Sequence, residues 1–388
     1  MKTPDFKILD DLLSSYVNSG RVAGIVSAVI ADDEITYQKT CGFQDKALET
    51  PMTWNSIFRI YSMTKPVTSL AAMMLWERGA FQLDDPVSKY ISSFENTLVL
   101  EEDGTRRPAQ NSITIRHLLC HTAGITLPAF ADNHLVPLYR EQKIDGMRSQ
   151  GRLSDVVDRL GRLPVFFEPG SRWSYSMSTD VVGRLVEIWS GLAFEDFLQA
   201  EIFRPLGMLE TAFHVKEADV DRFTTNYAAE NGTLSTVIDA PEGSSFLSPP
   251  EYIAGSGGLV STAGDYLLFM QMLINCGELK GVRIIQSDTL TLMTQNHLSG
   301  DMDDMGAADF NGVSWKGVGF GLGFNVVDDP EKAGFLGPAG EYGWTGAAGT
   351  MFFVNPVLKT GALLLTQYMP SQAYPLRAQF RDAVYKGL

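Results

Sequence analysis

The sequence predicts an α/β fold of the α+β kind: one antiparallel sheet built from both chain ends, flanked by helices, with a mostly helical lobe inserted between those ends. Three observations predict it. Near the N-terminus, the apolar run at 22–31 and the stretch Ile35-Thr36-Tyr37-Gln38-Lys39 flank the short polar turn Asp32-Asp33-Glu34, the pattern of a β-hairpin. Near the C-terminus, a second apolar pair at 349–356 and 361–367 brackets a turn containing proline and lysine. Between them, the stretch from about 79 to 250 carries helical periodicity and long loops.

Taken in order, residues 1–20 read as an amphipathic helix through Phe6, Leu9, Leu12, Leu13 and Tyr16. After the hairpin, Phe58-Arg59-Ile60-Tyr61 reads as a short strand that ends at Ser62, where a helix opens. Met63, Val67, Leu70, Met74 and Leu75 recur at three-to-four spacing, Pro66 lies early enough to be tolerated, and Gly79 can close the end. Helical spacing returns over 114–120, 152–160, 179–190 and 194–203, and a closing helix over 373–385. Segments 242–250 and 301–314 read as mobile surface loops. Residues 1–78 and 251–388 are therefore expected to form the sheet-bearing lobe and 79–250 the helical lobe, with the active site at their interface.

Composition narrows the partners. In 388 residues, 31 Lys and Arg face 46 Asp and Glu, and the net charge of -15 argues against nucleic acid or an anionic membrane. Cys41, Cys120 and Cys276 are widely spaced with no CxxC pair, so neither a disulfide framework nor a zinc site is suggested, and a reducing compartment fits. The N-terminal stretch lacks the apolar core of a signal peptide, and no apolar run approaches the roughly 18 residues needed to span a bilayer. The expected location is the cytoplasm.

Chemistry concentrates at Ser62-Met63-Thr64-Lys65. Residues three apart on a first helical turn project from nearly the same face, so the lysine can reach the hydroxyl. Backbone N–H groups at a helix start lack intrahelical partners and favour an oxyanion forming beside Ser62. A serine becomes a nucleophile only when a nearby group takes its proton, and a lysine does so only in its neutral form. The same four residues also fit a capping serine with a solvated lysine.

Other candidates stand beside it. Tyr175 precedes a helix, and a phenol held between ammonium groups can shuttle protons. The small-residue segment Trp344-Thr345-Gly346-Ala347-Ala348-Gly349 leads into an apolar strand, so its backbone can approach a ligand closely. The Gly-x-Ser-x-Gly elbow is missing: Gly255-Ser256-Gly257-Gly258 follows Ala254 and reads as a tight turn. His117 and His121 are spaced like metal ligands but have no local acidic third ligand, so no metal is expected.

Ser62-x-x-Lys65, Tyr175-Ser176-Met177 and Trp344-Thr345-Gly346, in that order, resemble the three signature elements of the serine β-lactamase and penicillin-binding-protein superfamily. The branch they most resemble holds class C β-lactamases and family VIII carboxylesterases. Segments 115–124, 205–208 and 257–265 are also similar, so the resemblance spans nearly the whole chain. It implies a β-lactamase-like fold and an acylated Ser62. Lys65 and Tyr175 would share the general-base and relay work, and the N–H groups of Ser62 and Ala347 would form the oxyanion hole. Trp344, Thr345, Gly346 and Met177 would face substrate, with Phe130 or Tyr139 as further apolar lining.

Two departures select the branch. Trp344 stands where lactamases and transpeptidases commonly carry a lysine, and Met177 where they carry an amide-bearing asparagine. Both changes favour a less polar ester over a β-lactam. The sequence therefore predicts a cytoplasmic serine carboxylesterase for short- to medium-chain acyl esters, with a small-molecule substrate, no cofactor and no membrane span. The alternatives are a β-lactamase or D-amino-acid peptidase, an acyltransferase, or a non-catalytic binding homologue. Oligomeric state leaves no mark on the sequence.

Overall fold

The N-terminal hairpin closes through Asp32 and Asp33, whose φ values of 49° and 67° are the two positive angles a type I′ turn requires. They join β1 (Gly24–Ala31) to β2 (Glu34–Asp45). This is a computed structural model that describes residues 4–130, 133–307, 310 and 313–388. Positions 1–3 of the expected first helix, and 308, 309, 311 and 312 of the expected 301–314 loop, lie outside the described residues.

The helix over the first residues is α1 (Lys7–Asn18). After β2 come β3 (Thr50–Pro51) and the buried helix α2 (Thr64–Glu77). Two more helices, α3 (Ser178–Ser190) and α4 (Ala263–Ile274), precede the C-terminal strands. Those strands are β4 (Val318–Phe320), β5 (Asn325–Val327), β6 (Tyr342–Thr345), β7 (Met351–Asn355) and β8 (Thr360–Leu365), and α5 (Leu376–Gly387) closes the chain. All eight strands form one sheet in the order β4-β5-β6-β7-β8-β1-β2-β3, so the chain ends meet where β1 pairs with β8. That seam is antiparallel, with Val26 opposite Leu365 and Ala28 opposite Leu363.

Alternation along β1 explains the layering. Val26, Ala28 and Ile30 face the main core with α2, while Ile25 and Val29 join Leu9, Leu13, Tyr16, Phe380 and Val384 of the two terminal helices. Those helices are tied by the Tyr16 hydroxyl, which donates to Gln379 Oε1 at 2.8 Å. With both faces covered, seven of the eight β1 residues are buried, which is why the strand reads as a continuous apolar run.

Between the ends lie the expected helices over Ile115–Leu119, Leu153–Gly161, Ser178–Ser190 and Phe194–Leu198. The middle stretch also holds strands that periodicity did not reveal. Asn226–Glu230 pairs with Thr233–Asp239, and Tyr368–Met369 joins as a third strand. Thr233–Asp239 is mostly exposed, so no buried face marked it. The apolar stripe expected on α2 was likewise incomplete: every residue from Thr64 to Leu75 is buried, and its threonine hydroxyls find partners inside, Thr68 Oγ1 donating to the Gly255 carbonyl at 2.7 Å and Thr64 Oγ1 accepting from the Leu259 N–H at 3.2 Å.

Ahead of Ser62, Phe58–Arg59 pairs with Val260–Ser261, and Arg59 is fully buried. Its Nε donates to Asp239 Oδ2 at 2.6 Å, its Nη1 to the Thr224 carbonyl at 2.6 Å, and its guanidinium lies 3.7 Å from the Phe223 ring centre. Arg59→Met would keep much of the volume but strand these acceptors. The expected loss is about 3–5 kcal/mol, read as a lower urea midpoint.

Candidate active site

Ser62 lies in a 3-10 turn, Tyr61–Met63, that runs directly into α2. Tyr61 has a φ of 44°, a left-handed conformation uncommon for a bulky residue, and it turns the chain sharply just before the serine. The turn is fixed from behind, where the Tyr266 hydroxyl of α4 donates to the Met63 carbonyl at 3.0 Å. Met63 N–H donates to the Ile60 carbonyl, whereas among the described residues the Ser62 N–H has no backbone or side-chain acceptor.

One turn along α2, Lys65 is buried, and its Nζ donates to the Tyr175 hydroxyl at 2.6 Å and to the Ser256 carbonyl at 2.8 Å. The Tyr175 hydroxyl in turn donates to Ser62 Oγ at 2.5 Å. The structure therefore brings Ser62, Lys65 and Tyr175 into one hydrogen-bonded chain. Placing the hydroxyl protons one position along it gives the reverse polarity, as a proton relay needs.

Ser62 borders two spaces of unequal size. A recess of about 20 Å³ is walled by Phe130, Tyr175, Phe310, Trp344 and the 345–347 backbone, with Ser371 and Arg377 at its edge. On the other side a cavity of about 590 Å³ runs past Leu127, Met147, Phe213, Phe246, Pro249 and Met369. Ala347 borders both, as Ser62 does, and among the described residues its N–H has no acceptor either. Two unsatisfied N–H groups at the mouth of a serine are what a developing oxyanion requires.

Trp344, Thr345 and Gly346 all lie on the small recess, and Phe130 borders both spaces. Met177 does not reach either: it caps α3 with its side chain fully buried in the main core. Tyr139 is also core, its hydroxyl accepting from the Thr126 N–H at 3.3 Å. The expected surface loop over 242–250 is largely exposed and also serves as a wall, since Ser245, Phe246 and Ser248 to Pro250 line the cavity. His117 caps a helix through Thr114, and His121 meets Ser176 Oγ at 2.8 Å, so the two histidines serve separate local bonds.

Sequence reasoning missed three neighbours. Ser256 acts through its carbonyl, an atom every residue has; the one available signal was its glycine-rich turn, closed by Gly257 and Gly258 N–H groups on the Ala254 carbonyl. Asp180 is buried on α3 and accepts from the Ser256 N–H at 3.1 Å; burial pushes its pKa up, while the Ser256 bonds and the charge on Lys65 oppose that. Arg377 was hidden as one basic residue on the amphipathic closing helix.

This fold, with a serine, lysine and tyrosine chained at the head of a buried helix, defines a member of the serine β-lactamase and penicillin-binding-protein superfamily. The chain belongs to the Beta-lactamase family, whose model matches residues 9–386. It is 31% identical to Esterase EstB of Burkholderia gladioli, over 97% of this chain and 94% of that protein. It is 32% identical to protein Rv1367c of Mycobacterium tuberculosis, over 91% of this chain and 88% of the other. Among solved structures, EstCE1, described as a hydrolase with promiscuous acyltransferase activity, superposes with a TM-score of 0.83 at 29% identity, covering 98% of each chain. The similarity to EstB and EstCE1 supports hydrolase chemistry. Among the described residues no helix is long and apolar enough to cross a membrane.

His121 offers a test of the site's electrostatics. Burial, with the charge on Lys65 adding to it, holds its imidazole well below the ordinary range, so it stays neutral in the fold. The unfolded chain takes up that proton below about pH 6.5, so this contribution is complete above that pH and is lost as pH falls toward the folded value. Wild type should therefore lose stability more steeply than His121→Gln between about pH 7 and pH 5, by at most about 1.4 kcal/mol per pH unit. Urea midpoints across that range measure it; parallel slopes would contradict the assignment.

Proposed function

We propose that this protein is a serine carboxylesterase acting on short- to medium-chain acyl esters through an acyl-Ser62 intermediate. The observation that carries this reading is the chain from Lys65 Nζ through the Tyr175 hydroxyl to Ser62 Oγ, set beside the two unengaged N–H groups. Ser62 Oγ attacks the ester carbonyl as its proton passes to the Tyr175–Lys65 pair. The carbonyl oxygen, now negative, rests on the N–H groups of Ser62 and Ala347. Collapse breaks the bond to the alkoxy oxygen, which leaves with the proton. Water then adds to the acyl-enzyme by the same relay in reverse, so one ester and one water give one acid and one alcohol.

The recess supports ester over β-lactam. Trp344, buried and 5.7 Å ring to ring from Tyr175, fills the position where a lysine would hold a lactam carboxylate. An acyltransferase reading is supported by the similarity to EstCE1. Products formed with an added acceptor alcohol decide between water and alcohol as the second nucleophile.

Ser62→Ala should abolish turnover of p-nitrophenyl butyrate with the fold retained by circular dichroism, whereas Lys65→Ala and Tyr175→Phe should each cost about 10²- to 10⁴-fold in kcat. A fluorophosphonate probe should add mass at Ser62; no adduct on the wild-type protein would favour a non-catalytic binding homologue. Nitrocefin should be a far poorer substrate than the butyrate ester. The reverse preference would make the protein a β-lactamase or D-amino-acid peptidase.

A further inference from the structure

The turn that carries Ala347 is clamped at several polar atoms. The Gly346 N–H donates to the Thr350 carbonyl at 2.9 Å, and the Ala348 carbonyl accepts from Tyr368 N and Thr366 Oγ1, each at 3.1 Å. A Cβ on Gly346 would come within 2.4 Å of the Ile60 carbonyl, so this backbone is wedged against the strand two residues ahead of Ser62. The remaining grip is a charge-assisted hydrogen bond: Arg377 Nη2 donates to the Gly346 carbonyl.

That carbonyl and the Ala347 N–H belong to one peptide unit. A trans peptide is planar, and its C=O and N–H point in opposite directions, so whatever fixes the carbonyl fixes the N–H. We propose that Arg377 is the positioning residue of the oxyanion hole: by holding the Gly346 carbonyl it aims the Ala347 N–H and polarises the amide that bears it. This rests on the reading of Ser62 as acylated nucleophile and Ala347 as oxyanion donor. A charge-assisted bond to an amide oxygen strengthens the same amide as a donor, because hydrogen bonds in series polarise one another.

The placement of Arg377 fits this use. It is the second residue of α5, anchored by the fully buried Leu376 before it and turned inward to the recess instead of out to solvent. Its Nε is closed off from water and has no partner among the described residues. Burial pulls the guanidinium down to about 10, which leaves it protonated at neutral pH. A full charge is thus kept against a single peptide oxygen next to the serine.

The test compares Arg377→Lys, Arg377→Gln and Arg377→Met with wild type on p-nitrophenyl butyrate. Positioning predicts that kcat falls in the order Lys, Gln, Met, reaching on the order of 10²-fold for Met, the low end of what losing an oxyanion donor costs, with KM changed less than about threefold. Affinity for a trifluoromethyl ketone, which places an oxyanion on the hole, should fall by the same factor as kcat/KM. Methylguanidinium should restore part of the activity of Arg377→Ala, which loss of folding would not allow. Should the Met variant misfold, the Lys variant still carries the test, since it keeps charge and loses the planar fork.

Variants with wild-type kcat, or losses confined to KM, would overturn the proposal; the latter would make Arg377 a substrate contact. Fluorophosphonate labelling separates the two layers. An adduct on wild-type Ser62 together with unaffected Arg377 variants removes this inference alone, while no adduct removes the esterase reading and this with it.

Discussion

A buried amine has to be met by oxygen, and the architecture around Ser62 is arranged to do that for Lys65. Taking a polar group out of water costs free energy unless it is hydrogen-bonded. Here the amine is met by a phenol and a carbonyl instead of a carboxylate, at 2.6 and 2.8 Å. A carboxylate in direct contact would compete for the proton; neutral oxygens hold the amine without taking its place in the relay. Asp180, the nearest acid on that side, is kept one residue away, bonded to the Ser256 N–H.

Meeting that requirement draws in distant parts of the chain. Ser256 reaches Lys65 because Phe58–Arg59 pairs with Val260–Ser261, which lays the glycine turn alongside the helix start. Tyr175 arrives on the segment leading into α3, which packs on α2. Ala347 arrives because β6 lies in the same sheet as β1, and because Gly346 has no Cβ to keep its backbone off Ile60. Position 346, at the end of a strand of the large sheet, thus meets position 60, which follows the separate Phe58–Arg59 pairing.

How much of this was legible depended on whether a side chain or the backbone does the work. The Ser62–Lys65 relation was readable because three-residue spacing on a helix fixes a common face. Strand β1 and the β7–β8 pair were readable because buried strands leave nearly unbroken apolar runs, and the exposed β2 only through the polar turn before it. Tyr175 and Trp344 became legible only through order along the chain, since nothing in spacing links 62, 175 and 344. Ser256 and the Gly346–Ala347 peptide act through main-chain atoms, which no residue identity encodes. Met177 was assigned to the substrate side by its place in a motif, but the side chain turns into the core as α3 begins. The exposed strand Thr233–Asp239 and the all-round buried α2 show the same limit from opposite directions: periodicity reports a half-buried element and falls silent when both faces share one environment.

The chemistry of the small recess follows from where its single cation is committed. Among the described residues lining it, Arg377 is the one with a positive charge, and that charge is turned onto the Gly346 carbonyl. The walls are the rings of Phe130, Tyr175, Phe310 and Trp344, with Phe310 4.8 Å and Phe130 5.6 Å from Tyr175, centre to centre. At about 20 Å³ the recess admits no more than a small group, and one entering it meets aromatic surface beside a guanidinium already engaged by the Gly346 carbonyl. Trp344 therefore does more than stand in a lysine's place: it completes the apolar wall, which supports the proposed preference for a neutral ester over an anionic substrate.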